Sequence, residues 1–342
     1  MIRRTACLIA RDSDPYRNQA IEKHLMDTLP GDTAILFMWQ NRTTVMLGRA
    51  QHARYECPVD AFTQKGGCIA RRLSGGGAMY QDMGSLNFSF ILPKASFDIP
   101  RQLSTIGIAA GAFGVQAHAS GRNDLSADGR KFCANAFFKS GSAALHHGTI
   151  LVSSQLGQMV NALTVEEGKL PAGMKKPFPQ VANLADAGRN VSMEALQESL
   201  YWAFGRSFGS QPGMLDERMM DSRSIEQTAA HFAGRDWLFP STIPYTFTVT
   251  ERFPWGGVTV QMRTEGGIVR DARVYTDAME AALFAHIEQA LIGSPCLISA
   301  IAKRFSQRLS WITDLRLSQM TGDVCTLICN RLRDMARDGG MA

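Results

Sequence analysis

Arg71-Arg72-Leu73-Ser74-Gly75-Gly76-Gly77-Ala78 is the stretch on which the reading of this chain turns. Three consecutive glycines strip a loop of side chains, so a phosphate or an acyl chain can come close to backbone amides, and Arg72 just before them supplies a planar, permanent positive charge. No Gly-Lys-Ser/Thr ending follows and no helix opens at the triplet, so this is not a Walker loop. The Gly-x-Gly-x-x-Gly spacing of a dinucleotide site is missing as well. Residues 68–72, 78–81 and 86–92 are short β-prone runs, the last two separated by Met83-Gly84-Ser85, which puts the glycines in a strand-to-strand loop. A plain hairpin turn and a phosphate-approach loop both satisfy that position.

Working outward, Asp14 followed by Pro15 reads as an N-cap with proline at the first helical position, and Ile21, Leu25 and Leu29 recur at helical spacing before Pro30-Gly31. A helix over 15–29 is predicted. Residues 34–39 and 43–47 are β-prone and flank Gln40-Asn41-Arg42, which suggests a hairpin. Leu103, Ile106, Ala110 and Phe113 predict a helix ending at Gly114, residues 131–138 and 149–153 read as strands, and Met193, Leu196, Leu200 and Phe204 mark another helix. Hairpins and helices mixed without regular alternation predict the α+β class: a mixed, largely antiparallel sheet with flanking helices packed to one side, not a doubly wound fold.

Polar residues and turn formers dominate 207–244. Strand character resumes at 247–250, 257–262 and 268–275, and Val324, Leu327, Ile328, Leu332 and Met335 give an amphipathic helical pattern. At 342 residues the chain exceeds one comfortable core. The expected division is a catalytic domain over 1–246 and a small C-terminal α+β accessory domain over 247–342.

Hydrophobic residues at 45% and charged residues at 20% fit a folded globular protein. No segment reads as a membrane span, and the short apolar run near the N-terminus is cut off by Arg11, Asp12 and Asp14, too early for a secretory signal. Seven scattered cysteines are an odd number; with no export signal, a reducing cytoplasm is expected rather than a disulfide framework. Cys325 and Cys329 lack the further ligands of a zinc site and read as core residues. The net charge of +5 steers acidic partners. Arg71-Arg72 and Lys175-Lys176 are too short to track a phosphate backbone, which argues against nucleic acid as the main partner. A monomer is expected.

A second informative stretch is Gly121-Arg122-Asn123-Asp124-Leu125 with Gly129-Arg130-Lys131-Phe132-Cys133-Ala134-Asn135-Ala136. On a regular strand Lys131 shares its face with Cys133 and Asn135, small groups that leave room for a ligand. A lysine so placed can neutralise an α-phosphate and a reacting carboxylate together, two anions that must meet before an acyl adenylate forms. Asp124 can hold magnesium through its carboxylate while the metal keeps most of its waters. A solvated lysine beside a surface turn is the other reading of the same residues. His146-His147-Gly148-Thr149 adds two histidines, but adjacent strand residues point oppositely, so a structural or substrate-lining role is expected rather than a metal site.

Taken together, RRLSGGGAMYQDMGSLNFSFI (71–91), GRNDL (121–125), GRKFCANAF (129–137) and HHGTILV (146–152) closely resemble the lipoate–protein ligase A family, and DSDPYRNQAIE (12–22), TTVMLGRAQ (43–51) and RFPWGGV (252–258) extend the likeness along the chain. The last of these resembles the two-domain bacterial type, which performs both half-reactions. The resemblance implies a fold shared with biotin ligases and octanoyltransferases. It implies that lipoate, or octanoate, reacts with ATP and Mg2+ as co-substrates to give lipoyl-AMP and pyrophosphate, with no tightly bound prosthetic group. A lysine of an apo lipoyl domain, in a 2-oxoacid dehydrogenase E2 subunit or the glycine-cleavage H protein, would then accept the acyl group. Carried over by position, Arg72, Ser74, Gly75, Gly76 and the run Gly77-Ala78-Met79-Tyr80 would hold ATP or lipoyl-AMP. Lys131 would be the catalytic residue, touching phosphate and acyl carbonyl, and Asp124 would organise the magnesium or phosphate region. Leu47, Gly76, Lys131, Cys133, Ala136, His147 and Gly148 would line the lipoyl tunnel or its approach.

The chain departs from the family pattern in places. Gln81 stands where His is usual, Cys133-Ala134 where Ser-Gly is usual, and Gln180-Val181-Ala182-Asn183-Leu184 lacks the usual leading Arg. Two other readings therefore stay open: an acyltransferase working through a Cys133 thioester without ATP, and a non-catalytic paralogue that binds lipoate or E2 proteins.

Overall fold

The computed structural model describes residues 2–120, 124–172, 174, 180–240 and 242–338. Gly121, Arg122 and Asn123 of the second motif, and the Lys175-Lys176 pair, lie outside the described residues. In chain order the strands are β1 (Arg4–Ile9), β2 (Thr33–Trp39), β3 (Thr44–Leu47), β4 (Cys68–Arg71), β5 (Met79–Gln81), β6 (Ser85–Pro93), β7 (His118–Ser120), β8 (Asp124–Ala127), β9 (Arg130–Ser140), β10 (Ala143–Leu151), β11 (Gly213–Met214), β12 (Phe247–Phe253), β13 (Gly256–Glu265) and β14 (Ile268–Thr276).

Eight of them form one sheet in the order β11-β1-β2-β6-β10-β9-β8-β7. Only β1 pairs in parallel, with β2 and β11; the remaining ladders are antiparallel. Along β6, Leu86, Phe88, Phe90 and Leu92 face a core closed by the helices Ile99–Gly111 and Met193–Phe208. The opposite face of the sheet is covered by the helices Pro15–Asp27 and Ser222–Ala233. Helices thus pack on both faces, not one, because β2 and β6 are buried along nearly their whole length and each face needs a cover.

The helix over 15–27 starts as its sequence predicts, with Asp14 accepting from the Tyr16 and Arg17 amides. The hairpin expected between 34–39 and 43–47 does not form. β2 pairs with β1 and β6, whereas β3 lies in a separate small sheet, β4-β3-β5. The link between them is pinned: Asn18 donates to the Gln40 carbonyl and to Asn41 Oδ1, and Asn41 is fully buried. Within the turn-rich 207–244 stretch, the helix Ser222–Ala233 rests on the helix Pro15–Asp27.

From Phe247 onward a separate core forms. Strands β12-β13-β14 pack against the helices Ala281–Leu291, Ile298–Arg308 and Leu315–Asp338, burying Val260, Met262, Phe284, Ile287, Ile301 and Val324. Cys329 is buried in it and Cys325 packs beside it, as expected of core residues. This C-terminal unit touches the rest of the chain through main-chain hydrogen bonds, Gly76 N to the Ala278 carbonyl at 2.9 Å and Thr276 N to the Ala50 carbonyl at 3.0 Å.

Candidate active site

Between β4 and β5 the glycine loop is shaped from inside by Arg72. Its guanidinium, 4% exposed, donates to Ser74 Oγ and to the carbonyls of Met46, Gly75 and Gly77. Those bonds use the donors that sequence reasoning assigns to a nucleotide, so Arg72 organises the loop and does not face the large cavity described below. Arg71 is likewise buried on the Gly48, Gln51 and Leu238 carbonyls. Burial pulls both guanidinium pKa values down to about 10.

The three glycines do three different jobs. A Cβ on Gly75 would sit 2.4 Å from the Ala278 and Met279 carbonyl oxygens, so this residue is bare to let the C-terminal unit dock. Gly76 has φ near +90° and donates to the same Ala278 carbonyl. Gly77 meets nothing within 4 Å and opens on the cavity. The removal of side chains for a ligand, read from sequence for all three, therefore fits Gly77 alone.

Lys131 lies on β9 with its ammonium 2.9 Å from Asp124 Oδ1 on β8. The ladder between these strands slips by one residue: Asp124 faces Ala134, but Ser126 faces Lys131, leaving Phe132 as the extra residue of a bulge. This overturns the face expected for Lys131. Its neighbours along the strand face are Ala134 and Ala136, while Cys133 falls on the opposite side, paired with Leu125 and Ile150 in the main core. Cys133 borders the cavity but its side chain is 0% exposed, and burial pushes its thiol pKa strongly up. A protonated, enclosed thiol is a poor nucleophile. Residues 180–182 clamp the same point of β9, with Lys131 N donating to the Gln180 carbonyl and Ala182 N to the Lys131 carbonyl. Gln180 contributes its main chain there and its side chain is exposed.

Lys131 and the run Gly77, Ala78, Met79 and Tyr80 line one cavity of about 770 Å3. One wall is apolar, from Leu151, Met159, Leu163 and Val181; the far wall comes from the C-terminal unit, with Arg252, Gly257, Tyr275 and Asp277. Sequence reasoning missed this second wall, although RFPWGGV was among the quoted stretches and contains Arg252 and Gly257. It also missed Gln51, which ends the quoted TTVMLGRAQ stretch, and His52 and Tyr55, which follow it; all three line the cavity. His52 packs at a tilt against Tyr55 with ring centroids 3.9 Å apart, and burial, followed by the charges of Arg71 and Arg54, lowers its pKa to about 4.

Behind Met79 and Thr149, which border both spaces, lies a niche of about 20 Å3. Ala136, His147 and Gly148 line it, together with Met46, Arg72, Gln19 and Trp39. Leu47 does not. It is fully buried with Val45, Ile69 and Tyr80, because neighbours on a strand alternate faces and Met46 takes the inward one.

A line of buried polar groups runs beside the niche. His147 bonds Ser74 Oγ through Nε2 at 2.6 Å and Glu22 Oε1 through Nδ1 at 2.8 Å, and Ser89 donates to the same carboxyl oxygen. His146 points the other way, to Gln102 and Asn135, as strand alternation requires. Gln81 accepts from Asn41 and donates to Thr149, so this departure from the family pattern is a satisfied neutral link.

Two family models match the chain, one described as the lipoyl protein ligase A/B catalytic domain over residues 14–205 and one as the bacterial lipoate protein ligase C-terminus over 242–319. Among solved structures, P. falciparum LipL1 in complex with lipoate superposes with a TM-score of 0.83 at 20% identity, covering 95% of this chain and 99% of that one. A bipartite lipoate protein ligase, solved with its E2 lipoyl domain from Thermoplasma acidophilum, gives 0.58 at 22% identity over 71% of this chain and 99% of that one. A lipoate-protein ligase A bound with ATP gives 0.56 at 23% identity over 69% and 98%. The large mixed sheet, its helices and the small C-terminal unit thus define a lipoate-ligase-like fold. With more than half its length matched by the catalytic-domain model, the chain belongs to the lipoyl protein ligase A/B family.

Proposed function

We propose that this chain activates lipoate with MgATP and transfers the lipoyl group to a lysine of an apo lipoyl domain, in a 2-oxoacid dehydrogenase E2 subunit or the glycine-cleavage H protein. The observation that carries the reading is Lys131, which stands on the wall of a two-sided cavity together with Gly77–Tyr80 and beside Asp124 instead of pointing into bulk water. The likeness to a lipoate complex and to an ATP complex supports it.

In the first step a carboxylate oxygen attacks the α-phosphorus, the bond to the β-phosphate breaks, and pyrophosphate leaves. Lys131 offsets the repulsion of the two anions as they close, a stabilisation that grows as charge shifts toward the leaving group. Asp124 offers one carboxylate, which suits an Mg2+ ion brought in on phosphate oxygens. In the second step the acceptor amine attacks the acyl carbonyl, the bond to AMP breaks, and the amine loses a proton to solvent. No protein nucleophile is needed, and the enclosed Cys133 is not placed to be one. We place the boundary of the catalytic domain at residue 246 and the protein in the cytoplasm, acting as a monomer.

The test is lipoate-dependent exchange of pyrophosphate into ATP. Lys131→Ala is expected to lose about 100-fold or more of it, whereas Cys133→Ser keeps activity to within about threefold, the change being a small exchange at a site that does no chemistry. Absence of acid-dependent exchange in the unmodified chain would overturn the ligase reading; acyl transfer to an apo lipoyl domain, lost in Cys133→Ser and kept in Lys131→Ala, would then point to the ATP-free thioester, and no transfer at all to the non-catalytic paralogue.

A further inference from the structure

The RFPWGGV stretch builds a charged pair on the cavity wall that the C-terminal unit contributes. Side chains on β12 alternate: Val249 and Phe253 pack toward the unit's own core, whereas Thr250 and Arg252 border the cavity. Arg252 Nη1 donates to Asp277 Oδ2 at 3.2 Å, and Asp277 Oδ1 accepts from the Gly257 amide at 2.7 Å. The two glycines make room for this pair. A Cβ on Gly256 would lie 2.8 Å from Asp277 Oδ1, and one on Gly257 would lie 3.2 Å from Arg252 Nη1. Asp277 is itself fixed between two docking bonds, Thr276 N to the Ala50 carbonyl and Gly76 N to the Ala278 carbonyl. Both groups beside the Arg252 guanidinium, Asp277 and Gly257, line the cavity, and the arginine side chain is 41% exposed. The bond to Asp277 uses one donor of the guanidinium fork, and no other described residue holds the rest.

We propose that Arg252 is a second substrate-binding cation of the site, gripping the β- and γ-phosphates of ATP from the wall facing Lys131 and meeting the charge of pyrophosphate as it leaves. The inference rests on the acid-activating reading above and deepens it. Of the described residues lining the cavity, only Lys131 and Arg252 offer a cationic group, since burial keeps His52 neutral. Arg71 and Arg72 are spent on main-chain carbonyls. Glu56, Glu251 and Asp277 border the same space, so a triphosphate entering it needs a cation aimed at it. As the carboxylate oxygen bonds to the α-phosphorus, the bond from that phosphorus to the bridging oxygen breaks, and its electron pair leaves on pyrophosphate. A guanidinium with donors to spare suits two phosphate oxygens, and its hold strengthens as that charge develops. No proton moves in this step. Pyrophosphate is gone before the acceptor amine attacks, so Arg252 acts in the first half-reaction alone.

Measuring the two half-reactions separately distinguishes a phosphate role from a structural one. Arg252→Ala in the full chain is expected to lose about 30-fold or more of lipoate-dependent pyrophosphate exchange, with a raised KM for pyrophosphate. Transfer from preformed lipoyl-AMP to an apo lipoyl domain is expected to stay within about threefold of the unmodified chain, because the lost contact is made only to the group that has already departed. If Arg252→Ala fails to fold, Arg252→Gln, which keeps a donor for Asp277 and loses the charge, carries the same pair of expectations. Unchanged exchange in a folded variant overturns the proposal, and so does an equal loss in both half-reactions, which would make the Arg252–Asp277 pair a structural tie. No exchange in the unmodified chain overturns the ligase reading itself, and the role of Arg252 with it.

Discussion

Lys131 and Cys133 are two residues apart, and one extra residue in the ladder sends them to opposite sides of the sheet. The pattern of small residues after Lys131 was readable as an open strand face. The bulge was not, since Phe132 looks like any core aromatic and the slip exists only in the pairing with β8. The same holds for Met46 and Leu47, where the strand was legible and the choice between its two faces was not. Another residue invisible in the pattern, His52, gives a pH signature. Burial favours its neutral ring and lowers the pKa from 6.5 to about 4, so between those values the unfolded chain binds the proton that the folded one refuses. Stability is complete above pH 6.5 and falls as the pH drops toward about 4. His146, lowered chiefly by burial, acts in the same direction. Melting temperatures measured across this range are expected to decline less steeply for His52→Gln than for the unmodified chain; parallel slopes would assign the acid sensitivity elsewhere.

At the scale of elements, the glycine loop is the part whose location was plain and whose task was only a third understood. Its place between β4 and β5 follows from turn chemistry, but β3 lies between those strands, and the loop serves as a contact for Ala278 and Met279 as much as a ligand wall. Nothing local in the sequence distinguishes Gly75 from Gly77. Gly75→Ala is therefore expected to push the C-terminal unit away from the loop, seen as a larger radius of gyration in small-angle scattering or faster amide exchange at Gly76, whereas Gly77→Ala leaves both unchanged. The helix over 15–27 and the strands of the large sheet were legible because caps, proline and period-2 patterning act within a few residues. The route from β2 to β3 was not, because it depends on Asn18 reaching a buried Asn41 across 23 positions.

For the molecule as a whole, separate cores in the main sheet and in the C-terminal unit, and a cavity with a wall from each, mean that substrate binding and the arrangement of the two parts are coupled. The net charge of +5 adds a long-range term. If the acceptor proteins are acidic, the KM for the acceptor is expected to rise several-fold between about 0.05 and 0.5 M salt, while exchange without acceptor changes by less than about twofold. Equal salt sensitivity of both would remove electrostatic steering from the account. The close fit of Gly75 under the Ala278 and Met279 carbonyls has a further consequence for lineage and for engineering. The C-terminal unit cannot be traded between relatives as a free cassette: a donor segment whose carbonyls come this close at the seam demands glycine at position 75 of the receiving loop, so each side constrains the sequence of the other.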